Sequence, residues 1–221
     1  MRLIKFLFKF ALYFVLITVG WAGLMALVPP PVTATMLMDE NGITKDWTAF
    51  EDISPNMVRA VIAAEDSKFC THDGFDPEAI QKAIQRNAQG GRIRGGSTIS
   101  QQTAKNVFLW QGGGFFRKGL EAYFTFLIET IWNKKRIIEV YLNVAETGIG
   151  TYGVQAGAQR YFNKDAKDLT PTEAARIAAA LPLPKKRAVN GASGFTRRYG
   201  NRIAARIDVV KREKLDRWIY N

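Results

Sequence analysis

The run from Phe10 to Val28 carries no charged residue, and it constrains this chain more than any other feature. As a helix rising 1.5 Å per residue it spans about 28 Å, close to the hydrocarbon thickness of a bilayer. Arg2, Lys5 and Lys9 precede it, and the next charge is Asp39. That asymmetry predicts a cytoplasmic N-terminus with the remainder of the chain outside. A cleaved signal peptide has a shorter apolar core and a small-x-small cleavage site; here the run continues into Pro29-Pro30-Pro31, a stiff exit. A buried core helix is seldom apolar on every side at this length. The chain is therefore divided into a cytoplasmic tip and transmembrane anchor at 1–30, a connector packed against domain or membrane at 31–50, and one domain at 51–221.

Helical signals dominate that domain. Ser54-Pro55 reads as an N-cap followed by proline at the first helical position. The helix it opens puts Val58, Val61 and Ile62 on one stripe, and Glu65 follows at the same spacing, on the apolar face. Leu120, Phe124, Leu127 and Ile131 mark a second amphipathic helix; Ile137, Ile138, Tyr141 and Leu142 mark a third. Thr170-Pro171-Thr172-Glu173 is a capping box that opens an alanine-rich helix ending near Leu181-Pro182. No run of alternating strands is evident, so the fold class is mainly α. The glycine-rich pieces at 90–96 and 112–114 read as mobile loops near a cleft. The first is no nucleotide-binding P-loop, because no lysine follows its glycines in the required place.

Composition excludes several chemistries. Cys70 is the single cysteine and His72 the single histidine, so neither a disulfide nor a Cys- or His-rich metal site can form within the chain. Any metal must therefore be held by carboxylates or arrive with its substrate, and no residue is assigned as a metal ligand. The net charge of +11 fits an anionic partner (nucleic acid, an acidic membrane surface or a phosphorylated substrate) and, on charge count by itself, solubility alone equally well.

Four pieces can carry chemistry. Glu65-Asp66 is followed by Phe69, His72 and Gly74. A carboxylate on an apolar face tends towards a raised pKa, suited to acid–base work, although a helix-terminal acid partnered by an arginine fits the position as well. Gly96 to Asn106 reads as a helix with Ser97, Gln101 and Lys105 at i, i+4 and i+8, a row of hydroxyl, amide and ammonium donors for diphosphate or sugar. Arg117 and Glu121 stand at i and i+4, which alone is a routine ion pair. Glu139, Asn143 and Glu146 share a polar side, which fits a structural role equally well.

Together the pieces resemble the peptidoglycan glycosyltransferase family, glycosyltransferase family 51. Its first motif matches Glu65, Asp66, Phe69, His72 and Gly74, and its second matches 95–106 with Gly95 in first place. Its third matches Arg117, Lys118 and Glu121, and its fourth Glu139, Tyr141, Leu142 and Asn143. The resemblance covers residues 50 to 205. With the sequence ending at Asn221 and no penicillin-binding domain following, it is to the monofunctional biosynthetic branch. Gly112-Gly113-Gly114 departs from the pattern by loosening the loop before the third motif.

What the resemblance implies is specific. The fold is a lysozyme-like α domain with a smaller, mobile membrane-proximal lobe. The reaction polymerises lipid II: a lipid-linked strand is the donor, undecaprenyl diphosphate leaves, and the GlcNAc 4-hydroxyl of lipid II attacks with inversion. Glu65 is the base and Glu121 the second essential carboxylate. Ser97, Gln101, Gln102, Lys105, Asn106, Arg117 and Lys118 bind substrate. Glu121 either orients Arg117 or Lys118 or helps to hold a divalent cation, Mg or Mn, at the diphosphate. The implied setting is a single pass through the bacterial inner membrane with a periplasmic catalytic domain. Partners are lipid II, the growing glycan, the membrane and cell-wall synthesis or division proteins, and not nucleic acid. The rival readings are a lysozyme-like hydrolase or lytic transglycosylase, which needs no cationic diphosphate cradle, and an anchored scaffold or nucleic-acid binder suggested by charge alone.

Overall fold

The computed structural model describes residues 1–88 and 96–220, with the backbone alone at 82–84 and 86–88. The expected glycine-rich loop therefore lies, apart from Gly96, outside the described residues, as does Gly95 of the second motif. The fold is mainly helical, consistent with a lysozyme-like α domain. Helix α1 (Arg2–Leu27) begins well before the uncharged run, extends about 39 Å, and is long and apolar enough to cross a membrane. A single turn, α2 (Ala34–Leu37), follows the prolines.

Two groups of helices make the domain. In the first, α3 (Pro55–Glu65) packs against α9 (Pro171–Ala180) and α10 (Gly194–Arg212). Ser54 caps α3 as its hydroxyl accepts from the Asn56 amide, and Val58, Val61 and Ile62 are fully buried. Thr170 and Glu173 close the expected capping box on α9. The alanines of α9 let neighbours approach closely: a Cβ on Gly200 of α10 would touch the Ala175 carbonyl and the Ala179 methyl.

In the second group, α5 (Ile99–Phe108) lies against α6 (Gly114–Ile131) and α7 (Lys134–Val144). Between the groups run α4 (Pro77–Ala88) in sequence and, after α7, helix α8 (Val154–Phe162); α11 (Arg217–Tyr220) ends the described chain.

Helix α1 is docked along its second half. Tyr123 of α6 shares a 2.7 Å hydrogen bond with Thr18, and the Trp132 indole donates to the Ala22 carbonyl at 2.8 Å. The Arg136 guanidinium takes the Met25 and Val28 carbonyls, at 2.9 and 2.7 Å, at the helix end. Trp21 packs edge-on against Phe108, which stacks on Phe124. The outer surface of α6 beside the anchor exposes Phe115, Phe116, Gly119, Phe126 and Thr130, and the only charge among its exposed residues is Lys118.

One element escaped sequence reasoning. Strands β1 (Thr44–Lys45), β2 (Glu146–Gly148) and β3 (Thr151–Tyr152) form a small sheet in the order β1-β3-β2. At two or three residues each, they are too short for alternation to show. The sheet builds the segment after the anchor into the domain. Gly150, at φ +60°, lets the hairpin approach that segment, since a Cβ there would sit 2.6 Å from the Asn41 carbonyl oxygen. The fourth motif completes the attachment: Asn143 exchanges two hydrogen bonds with the Thr48 backbone, and Glu139 accepts from the Phe50 amide.

Candidate active site

Glu65 ends α3 where the two helical groups meet. Its Oε2 accepts from Gln102 Nε2 at 2.9 Å, while its Oε1 is buried without a hydrogen-bond partner. No ion pair reaches it among the described residues, so the arginine-partnered alternative is not realised. Burial pushes its pKa up, opposed by the Gln102 hydrogen bond and by the positive fields of Arg187 and Lys105. The orientation of Gln102 is set from behind. The buried Tyr141 hydroxyl lies 3.4 Å from the Gln102 carbonyl oxygen, as donor, which leaves the amide nitrogen facing Glu65. Burial holds the Tyr141 phenol well above its ordinary pKa, so it stays a donor.

The rest of the first motif is scaffold. Asp66 accepts from the Ile99 amide at 3.0 Å, pinning the start of α5 to the end of α3. Its two oxygens each lie 3.0 Å from His72 Nε2. The Gly74 amide donates to His72 Nδ1 at 3.1 Å, so that nitrogen is the acceptor and Nε2 carries the proton towards Asp66. Gly74, at φ +88°, passes so close to Thr125 and Glu129 that a Cβ would sit 2.7 Å from the Thr125 methyl.

The second motif folds differently from the expected donor row. Thr98 is the N-cap of α5, and Gln101 is the third residue of a capping box, its side-chain oxygen accepting from the Thr98 amide at 3.0 Å. Ser97 thus precedes the helix, and Gln101 is buried in the cap. The reason is local: at the helix start the Thr98 amide needs an acceptor and takes the Gln101 side chain, while the Gln101 amide donates to the Thr98 hydroxyl. What α5 does present is Gln102, Lys105 and Asn106, all of which line a cleft of about 470 Å³. Lys105 is half-buried, and among the described residues it makes no hydrogen bond or ion pair. Burial lowers its pKa, with the Glu121 carboxylate opposing.

Ser97, Arg117, Lys118 and Glu121 form a neighbouring group outside the cleft lining. Glu121 is 3% exposed; Arg117 Nη1 bonds its Oε2 at 2.7 Å and Lys118 its Oε1. Lys118 also reaches Ser97 Oγ at 3.3 Å. Arg117 donates through Nε to the Gly112 carbonyl, so the triple glycine serves to fold the loop onto this side chain. Gly113, at φ +82°, would put a Cβ 2.8 Å from that of Arg117.

Sequence reasoning missed most of the far side of the cleft. Asp39, Lys185 and Lys186 line it, and Arg187 acts on Glu65 through its field while donating to the Ala179 carbonyl. No spacing in the chain signals these positions, since they come from segments remote from Glu65. Glu146, which spacing sets on a polar side with Glu139 and Asn143, also lines the cleft, but from the start of β2 and not from α7.

A family model described as Transglycosylase matches residues 32–209. Among curated relatives, the biosynthetic peptidoglycan transglycosylase of Caulobacter vibrioides is 51% identical over 191 residues, covering 85% of this chain and 83% of its own. Those of Bdellovibrio bacteriovorus and Pseudomonas aeruginosa are 47% and 48% identical, covering 92% and 83% of this chain and 86% and 83% of their own. Matches of this extent, over a fold that brings the four motifs to one place, show that the chain belongs to the transglycosylase family, alongside the biosynthetic peptidoglycan transglycosylases, and is an enzyme of glycosyl transfer.

Proposed function

We propose that this enzyme polymerises lipid II into peptidoglycan glycan strands, with Glu65 as general base. The observation that carries the reading is a buried, half-bonded carboxylate, Glu65, held by Gln102 of the cleft lining and lying in the field of Lys105, a cation of the same lining with no ionic partner among the described residues. Glu65 takes the proton of the GlcNAc 4-hydroxyl of lipid II. The hydroxyl oxygen bonds to the anomeric carbon of the terminal MurNAc of the lipid-linked strand, and the bond from that carbon to the diphosphate breaks, inverting α to β. Undecaprenyl diphosphate carries off the electron pair, and Glu65 returns its proton to solvent. General base catalysis of this kind is typically worth about 10²–10⁴-fold.

Charge building on the diphosphate meets Lys105, with Arg117 and Lys118 behind it and Ser97, Gln102 and Asn106 as further donors. Glu121 orients the two basic side chains that grip it. A Mg or Mn ion at the diphosphate would supply further charge neutralisation, but the residues do not fit a protein-held site: both Glu121 oxygens are already ion-paired, and among the described residues no three metal-ligating side chains gather. The cleavage rival shares the raised Glu65 pKa, since a general acid needs the same shift. Lys105 favours synthesis, because a hydrolase has no leaving diphosphate to neutralise.

The membrane setting belongs to the same reading: α1 crosses the inner membrane once with Arg2, Lys5 and Lys9 inside, and the catalytic domain is periplasmic. The nearly uncharged outer surface of α6, docked beside the anchor, supports a domain resting in the outer leaflet where both substrates are held. The test is polymerisation of purified lipid II, with digestion of mature sacculi as the competing readout. The native enzyme is expected to make strands and the Glu65→Gln variant to remain folded and make none. Digestion without strand formation would move the protein to the lytic class.

A further inference from the structure

Buried side-chain oxygens are ordinarily hydrogen-bonded, and each exception asks for an explanation. Besides Glu65 Oε1, the described residues leave two such atoms unpartnered, Thr35 Oγ1 and Glu146 Oε1. Both residues line the cleft that holds Gln102 and Lys105. They arrive from elsewhere in the fold: Thr35 sits on α2, just after the anchor, and Glu146 opens β2.

The surroundings of Glu146 explain why it is under-bonded. Its side chain is 18% exposed; its Oε1 makes only a long ion pair with Lys185 Nζ, at 3.6 Å, and the Gly150 amide also reaches the carboxylate. That ammonium is committed to Asp39 at 2.9 Å, and Asp39 also receives the Tyr152 hydroxyl at 2.6 Å. Asp39 is thus well served, and its carboxyl is held far below the usual range by those bonds. Glu146 is pushed the other way by burial, with Lys185 opposing only in part. Two neighbouring carboxylates in one cleft are therefore unequal: one saturated, one with acceptor capacity to spare. Thr35 adds a hydroxyl that both donates and accepts.

We propose that Thr35 and Glu146 form a second polar subsite in the cleft, which binds an O–H- or N–H-bearing group of the glycan substrate and positions it for attack at the Glu65 end. The group is a sugar hydroxyl, an amide or an ammonium of the attached peptide. Neither residue takes part in the proton transfer; both are positioning residues. The subsite rests on the lipid II reading above.

The experiment is steady-state polymerisation of lipid II by the full-length protein, for the native chain and for Glu146→Ala, Glu146→Gln and Thr35→Val. The alanine and valine variants are expected to raise KM roughly tenfold each, the worth of one hydrogen bond to a charged group or somewhat more than a neutral one, with kcat within about twofold. Restoration of KM by Glu146→Gln identifies a neutral donor, since an amide oxygen still accepts; failure to restore it identifies an ammonium. A purely structural role would lower the melting temperature and leave KM alone, so thermal unfolding is measured alongside. The nearly isosteric Gln and Val variants carry the test if the alanine variant does not fold. Unchanged KM in folded Glu146→Gln, Glu146→Ala and Thr35→Val proteins overturns the subsite. If instead the native protein makes no strands, the lipid II reading fails, which is a separate result.

Discussion

Glu65 and Glu121 are both carboxylates at the core of family motifs, yet the fold treats them in opposite ways. Glu121 is enclosed by Arg117 and Lys118, with each oxygen paired. Glu65 is given one amide donor and a bare oxygen. A carboxylate with both oxygens ion-paired offers little free acceptor capacity to a substrate proton; it holds its neighbours in place. A carboxylate short of partners is costly to keep charged, and that cost is what makes it basic. On the proposed mechanism, the contrast separates a residue that performs chemistry from one that arranges it.

The largest effect expected from breaking the contrast is at Glu65. Glu65→Gln should lower polymerisation by about 10²–10⁴-fold, and the same variant should unfold at a higher temperature than the native protein at neutral pH. The sign follows from linkage. Burial raises the Glu65 pKa in the folded state, so the ionised form destabilises the fold above that pKa, and the penalty fades as pH falls and the native state binds the proton more readily. The stability advantage of the glutamine variant should therefore be greatest at neutral to alkaline pH and vanish in acid. Parallel melting curves across pH check this.

Removing the cation should rank next. Lys105→Met is expected to cost about 10²-fold in kcat, the usual loss when a donor facing a developing negative charge is deleted, with little loss of stability since it gives up no ion pair. Glu121→Gln should do the reverse of Glu65→Gln in the melting experiment. Deleting one member of a buried ion pair leaves Arg117 and Lys118 uncompensated and costs about 3–5 kcal/mol, an upper figure here because Lys118 is about half exposed. Activity should fall with it. A Glu121→Gln protein as stable as the native one would erase the distinction drawn above.

The mildest test leaves the sequence untouched. The acid limb of the kcat/KM profile should lie above the ordinary carboxylate range, because the base must be deprotonated and its pKa is raised. An acid limb at an ordinary glutamate pKa would show that Glu65, as the free enzyme holds it, is not the base with the raised pKa.

Much of this was legible from residues alone, for identifiable reasons. The anchor, the Ser54 cap, the Thr170 box and the buried stripes of α3 and α7 follow from spacing, because a helix repeats every 3.6 residues whatever surrounds it. The Arg117–Glu121 pair is likewise written into its i and i+4 positions. Gln101 shows the limit of such reasoning. Helical spacing places it in a row with Ser97 and Lys105, but the helix starts at Ile99, and the start consumes that glutamine. The strands were too short to leave a pattern, and the Thr35–Glu146 pair left none either.

Helical content and the motifs were thus legible in the order of residues. Whether an oxygen is bonded or bare was not, because that depends on atoms brought from distant segments: Tyr141 behind Gln102, Lys185 drawn to Asp39, Arg187 across from Glu65. Burial and hydrogen-bond saturation are properties of packed neighbours, and only the tertiary structure chooses the neighbours.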